Sequence, residues 1–289
     1  MYDLDNVSLG LWVDLPKRTV LSPYFFHWVA EVLRFDLVSI MIDNADPEVE
    51  FLWTAKDIER AWKLADRYAL EIGLTTWPYP NKQLLKKMME KMDELLKAGG
   101  VNEWETDQEF NWRASNVRGF ADLDLAGDCF VAEKHAICQK HEVRNTLTTF
   151  TYHTENSIRA GTAPHMDRLV VQAYAVDERD GRDISWDNRL GPGNMQKLTI
   201  DRTLEVPGVK DGKPELGVGH AAWNQDHFRQ RDGSGWRIVP PQEAMQVSFE
   251  AALAYSPVAH NWWSAKFTYP ESPRFNSYAE AFLKTLRND

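Results

Sequence analysis

The stretch Ile72–Glu105, IGLTTWPYPNKQLLKKMMEKMDELLKAGGVNEWE, holds a complete structural unit. Ile72–Trp77 is a short run of apolar and β-branched residues closed by Pro78-Tyr79-Pro80, the pattern of a strand covered on both faces. The period then changes. Leu84, Leu85, Met88, Met92, Leu95 and Leu96 fall on one stripe of a helix whose other face is Lys-rich, and Gly99-Gly100 stops it. The Met-rich stripe reads as core packing and the Lys-rich face as solvated surface. Val101–Glu105 begins a second strand, so strand, crossover helix and strand follow one another as in a parallel βαβ unit.

The same alternation runs outward in both directions. Further strands are expected at Leu9–Asp14, Leu37–Asp43, Leu147–Tyr152, Leu169–Tyr174, Leu216–Ala222 and Ala259–Ala265, which with the first two make eight. Ser22-Pro23 caps an aromatic-rich helix, and Thr54 with Asp57 resembles a capping box ahead of IERAWKLADRYALEIG. Later helices are expected over Asp122–Lys140, Pro240–Tyr255 and Asn276–Arg287, while the segment after the sixth strand reads as long and irregular. Eight βα units predict a (β/α)8 TIM barrel, a single domain over residues 1–289. An open doubly wound sheet is the competitor; the chain has neither a GxGxxG turn after its first strand nor a GxxxxGK[ST] loop. Two polar stretches, Asp177–Pro192 and Gln225–Gly235, follow the sixth and seventh strands and read as loops walling a cleft on the active face of the barrel.

Composition narrows the function classes. With 43 Asp and Glu against 33 Lys and Arg the chain carries a net charge of −10, which argues against nucleic acid as a partner. No run approaches the roughly 20 apolar residues of a membrane span, so no membrane partner is expected. The first residues lack the regions of a signal peptide. Cytoplasmic synthesis is therefore expected, with release to a cell wall by lysis as the route to an outside substrate. Cys129 and Cys138 are nine residues apart on an expected helix, about 13 Å along its axis and on opposite faces, so no disulfide is expected. The eight His are scattered and no zinc signature occurs, so neither a metal nor another cofactor is expected.

The chemistry concentrates on the fourth strand. Glu103, Glu105 and Asp107 alternate along it, so they share a face at about 6.6 Å spacing. If that face is the barrel interior, crowded carboxylates in a partly desolvated place raise one another's proton affinity. That is how a carboxyl group stays protonated as a general acid near neutral pH, and protonating a leaving oxygen is what cleavage of a glycosidic bond requires. The alternative is that these acids are salt-bridged or solvent-facing. Twelve Trp point the same way, because sugar rings present CH faces to flat aromatics. Trp12, Trp77, Trp104, Trp223, Trp262 and Trp263 all fall in or beside expected strands, although several belong to a core.

The run Gly99-Gly100-Val101-Asn102-Glu103-Trp104-Glu105 resembles the strand-four motif D-G-x-D-x-D-x-E of family 18 glycoside hydrolases, with Ala98 and Val101 in place of the outer two Asp. The resemblance places Glu105 on the proton donor, Glu103 on the inner Asp and Gly99 on the motif's Gly. Gln172-Ala173-Tyr174 is similar to the family's M-x-Y-D, whose Tyr contacts the acetamido carbonyl, and Trp263-Ser264 to the Trp that floors the cleavage subsite. The D-x-E motif of family 25 lysozymes is similar as well. Such a resemblance implies a retaining, substrate-assisted mechanism: Glu105 protonates the glycosidic oxygen and the substrate's own N-acetyl oxygen attacks. Glu103 or Asp107 would hold the amide, assisted by Tyr174. The substrate expected is an N-acetylated polysaccharide, bacterial peptidoglycan ahead of chitin, in the manner of phage lytic enzymes.

Asp14, Asp43, Trp77, Tyr152, Gln172, Trp223 and Trp263 lie at or near strand ends and are candidate substrate ligands. Each Asp could equally cap a helix or bridge a loop. Two other classes compete: a non-catalytic glycan-binding barrel, and a barrel enzyme of phosphorylated metabolites, for which no Gly-rich phosphate cradle follows the last two strands.

Overall fold

The structure is a computed structural model that describes residues 2–42, 53–77, 82–108, 123–150, 163–172, 191–206, 209, 214–222, 229–232, 235–238 and 241–287. Eight parallel strands close into a barrel: β1 (Ser8–Val13), β2 (Leu37–Met41), β3 (Glu71–Thr76), β4 (Glu103–Gln108), β5 (Arg144–Phe150), β6 (Arg168–Gln172), β7 (Glu215–Ala221) and β10 (Ala259–Trp263). Each pairs with its neighbour in that order, and β10 closes on β1. The chain is a (β/α)8 barrel, and all eight expected strands are present with ends moved by up to three residues.

Helices cover the outside: α1 (Pro23–His27, continued by a π turn to Val32), α2 (Ala55–Asp66), α3 (Lys82–Leu96), α4 (Leu123–His141), α5 (Gly191–Leu204), α6 (Pro241–Leu253) and α7 (Ser277–Thr285). Their ends follow sequence chemistry. Ser22 accepts from the Tyr24 N–H at the start of α1. The Thr54–Asp57 capping box forms in both directions. α3 buries Leu85, Met88, Met89, Met92, Leu95 and Leu96, each contributing about 1.5–3 kcal/mol by leaving water. It stops where Gly99 and Gly100 both adopt φ 74°. A side chain at Gly100 would also meet Trp62, 2.1 Å from Cγ, so a close approach and a left-handed backbone both require glycine there.

Two elements depart from the expectation. Helix α5 lies where the sequence reads as irregular, because it opens on Gly191-Pro192-Gly193 and buries Gln196, Thr199 and Thr203 beside Ile200, so no apolar stripe announces it. A hairpin of β8 (Arg229–Asp232) and β9 (Gly235–Ile238) begins inside the segment read as a loop, Gln225–Gly235, and runs past its end; its strands are short and rich in Arg, so little in the sequence announces them.

The register fixes what faces the lumen. From Trp12↔Ser39, Thr75↔Glu105, Asp107↔Thr148, Gln172↔Gly219 and Asn261↔Gly10, the inward set on β4 is Glu103, Glu105 and Asp107. Leu9, Leu11, Val38, Ile40, Ile72, Leu74 and Trp104 point outward into the layer beneath the helices. Glycines give the lumen its shape. A Cβ on Gly219 would sit 2.9 Å from Trp12 Cη2, and one on Gly10 would sit 2.2 Å from Asn261 Oδ1. Trp12 therefore crosses the barrel, its far edge on β7 and its indole N–H on β4. Gly219→Ala is expected to destabilise by about 1–3 kcal/mol, since a rigid ring tethered at both ends cannot yield cheaply. Urea unfolding followed by Trp fluorescence would measure it; a loss below about 0.5 kcal/mol would mean that the ring moves freely.

Candidate active site

Glu105 lies in the middle of β4, its side chain in the lumen and fully buried. Side chains from four other strands converge on it. The Trp12 indole donates to Oε2 at 2.6 Å, and Ser39 Oγ donates to the same oxygen at 3.0 Å. Thr75, which shares a 2.7 Å hydrogen bond with Ser39, reaches Oε2 at 3.4 Å. The Thr148 hydroxyl bonds to Oε1. Burial raises the carboxyl to about 7 and the charge of Glu103 pushes the same way, against the hydrogen bonds from Thr148, Trp12 and Ser39. Near neutral pH the group therefore carries a proton for a large part of the time, as an acid of that task requires.

Asp107 is the next inward residue, one step closer to the carboxyl-terminal mouth. It is nearly buried, and Gln172 Nε2 donates to its Oδ1 at 2.7 Å. The Gln172 side chain is buried too, and among the described residues its Oε1 has no partner. Both polar atoms of inward-facing Asn261 share that condition. Buried amides with unused hydrogen-bonding capacity in one lumen are atoms that water or a polar ligand can satisfy.

Glu103 departs from its expected place beside a substrate. It is the innermost of the three acids, at the amino-terminal end of β4, where Arg144 Nη1 lies 2.8 Å and Arg168 Nη1 3.3 Å from its Oε2. Glu71 and Glu215 join these arginines at 3.6 and 3.8 Å. The network plugs the bottom of the barrel, away from the mouth. Glu103 is thus the salt-bridged acid that sequence reading had as the alternative, and it reaches the site through its charge on Glu105. Asp14, just past β1, accepts from Ser264 Oγ at 2.6 Å and bonds to Lys266, which ties β1 to the end of β10.

Trp263 ends β10 half-buried, 6.1 Å from Trp12 between ring centroids, with Lys266 Nζ 5.3 Å from its ring. Its peptide bond to Ser264 is cis. Trp77 follows β3 half-buried against the core. Asp43, Tyr152, Tyr174 and Trp223 lie outside the described residues. The structure thus brings Glu105, Asp107, Gln172 and Trp263 to one lumen and adds Trp12, Ser39, Thr75, Thr148 and Asn261. The signal for these five was strand phase: each is polar or aromatic at an inward position. Among the described residues, no group of three or more His, Cys, Asp or Glu is placed to hold a metal ion, and no helix is long and apolar enough to cross a membrane.

No protein-family model matches the sequence, and no curated protein matches it. Solved structures do match in fold. A family 18 chitinase from Pseudoalteromonas aurantia superposes with a TM-score of 0.57 at 10% identity, over 96% of this chain and 100% of that one. A family 17 β-1,3-glucanosyltransferase from Rhizomucor miehei gives 0.57 at 12% identity, over 90% and 87%. A family 113 β-1,4-mannanase gives 0.58 at 12%, again over 90% and 87%. At such identities the likeness is one of fold, the barrel that these glycoside hydrolases share.

Proposed function

We propose that the chain is a glycoside hydrolase acting on an N-acetylated glycan, with bacterial peptidoglycan as the first substrate and chitin as the second. The observation that carries the reading is the state of Glu105: a lumen-facing carboxyl held near neutrality by burial and a neighbouring acid, with a second acid between it and the mouth.

The chemistry follows from the donors. An indole N–H can only donate, so Oε2 must accept, and the acid proton belongs on Oε1, where the Thr148 hydroxyl donates to the carboxylate and can turn to accept from the acid. From there it passes to the glycosidic oxygen as the bond to the anomeric carbon breaks. The acetamido oxygen of the same sugar closes on that carbon, and the positive ring so formed lies against the Asp107 carboxylate, which the Gln172 amide orients. Water then opens the ring while Glu105 takes a proton back. Trp12 and Trp263 give the flat apolar surface that a sugar face needs.

The enclosure of Glu105 by Trp12, Ser39, Thr75 and Thr148 favours a second reading, a barrel that binds glycan without cleaving it. Incubation of the protein with peptidoglycan sacculi and, separately, with chitin oligomers decides between them, with mass spectrometry of the released fragments. New reducing ends from either polymer support the hydrolase and name its bond. Retention of intact glycan with no fragment from either supports the binding barrel.

A further inference from the structure

Helix α4 presents a lysine where a barrel helix ordinarily presents an apolar side chain. Lys134 is 2% exposed, and its Nζ donates to the carbonyl oxygen of Thr146 at 2.6 Å while lying 5.2 Å from the centroid of the Trp104 ring. Thr146 is the residue registered against Glu105 in the β4–β5 pair, and Trp104 precedes Glu105 in the chain with its ring on the outer face. The ammonium is thus pressed against the back of the wall at the point whose front carries the candidate acid. Burying a cation is unfavourable unless other charges offset it, and Leu or Met would fill the space without that penalty.

We propose that Lys134 is a positioning residue for the candidate acid: its charge, acting through the β4–β5 wall, sets the proton affinity of Glu105 and with it the upper pH limit of activity. The second half of that statement rests on Glu105 being the acid of the reaction.

The surrounding charges agree in sign. Across the wall Lys134 faces Glu105 and Glu103 on β4, and Asp167 just ahead of β6; all three favour its cation. On its own helix Cys138 stands one turn on; its charge would also favour the cation, but burial pushes the thiol itself up to about 12, so near neutral pH the support for the Lys134 charge comes from the three carboxylates. Arg144 and Arg168 are occupied by Glu103, Asp107 is bonded to Gln172, and from α3 Asp93 is engaged by Lys140 and His141 at the far end of α4. His135 packs on His165. Burial lowers the Lys134 amine to about 8, so it is a cation at neutral pH and loses its charge just above it. Glu103 drives the Glu105 proton affinity up while Lys134 holds it down.

The test reads Glu105 directly, through the pH dependence of its carboxyl carbon resonance in labelled protein. Lys134→Met should raise the midpoint by about one pH unit, the size of a unit charge several ångströms away at an effective dielectric constant near 20. Lys134→Arg, which keeps the charge, should restore it. An unchanged midpoint in a Lys134→Met protein with native near-ultraviolet circular dichroism would overturn the proposal. Should that variant fail to fold, the native protein still decides: its Glu105 resonance must show a second inflection near pH 8 as Lys134 loses its proton, and a single-step curve would overturn the proposal equally. Neither readout uses turnover, so failure of the hydrolase reading would leave the measured coupling intact and be seen separately.

Discussion

Glu105→Gln is expected to lower the turnover of an N-acetylated glycan by roughly 10²–10⁴-fold, the range a positioned general acid supplies, with little change in KM. The substitution is chosen for its shape. A glutamine can still accept the Trp12 N–H through its amide oxygen while its amide nitrogen turns to Thr148, so the lumen keeps its packing. What it loses is the transferable proton. It also relieves the repulsion between Glu105 and Glu103, so stability should hold or rise slightly. The kinetic pattern separates the readings: an acid acts only in the transition state, so kcat falls while ground-state binding does not. Calorimetry with a chitin oligomer or a muropeptide would supply the affinity, and reducing-end release the rate. Equal release by both proteins would remove Glu105 from the chemistry.

How much of this was legible in the sequence depends on what each residue had to satisfy locally. Most strands were visible because they are short apolar or β-branched runs with turn formers at one end, and α3 because its stripe of Leu and Met has a helical period and ends at Gly99-Gly100. α5 was hidden because its buried face is built from Gln196, Thr199 and Thr203. The three acids of β4 were correctly set on one inward face by alternation alone. Chain order also ranked their height, since the strands of such a barrel run toward the mouth. What it could not supply was partners: the register with β5 sets Glu103 level with Arg144 and Asp107 level with Thr148, which divides three similar acids into a plug, a proton carrier and a residue near the mouth. Strand phase could turn Trp12 inward but not give its bond to Glu105, which joins strands far apart in the chain. Lys134 escaped because a lysine on a helix reads as solvated, and only packing puts it against Thr146.

Lowering the pH from 6.5 to 4.5 is expected to destabilise the protein by about 3 kcal/mol, through two histidines outside the lumen. His220 on β7 and His260 on β10 are buried beneath Phe249 of α6, with His220 Nε2 2.8 Å from His260 Nδ1 and the His220 ring stacked on Trp262 at 4.9 Å. Burial lowers His260 to about 3, and burial with the neighbouring His260 lowers His220 well below its ordinary range. The folded protein keeps both rings neutral while the unfolded chain protonates them below about 6.5, so their stabilisation is complete above that pH and is lost as pH falls. Glu105 works in the opposite sense. Raised to about 7 from an ordinary 4.5, it holds a proton in the folded state that the unfolded chain lacks over the same interval. Two protons favouring unfolding against one favouring folding leave a net slope of about 1.4 kcal/mol per pH unit. Below about 4.5 both states carry the glutamate proton, and the slope steepens toward about 2.7 kcal/mol per unit. Urea unfolding at pH 7, 5.5 and 4.5 would trace this. In the double variant His220→Phe, His260→Leu only the Glu105 contribution of these three remains, so its stability should rise over the interval in which the native protein's falls. A variant curve that tracked the native one would refute the assignment, as would a His220 or His260 imidazole resonance of the native protein titrating near 6.5.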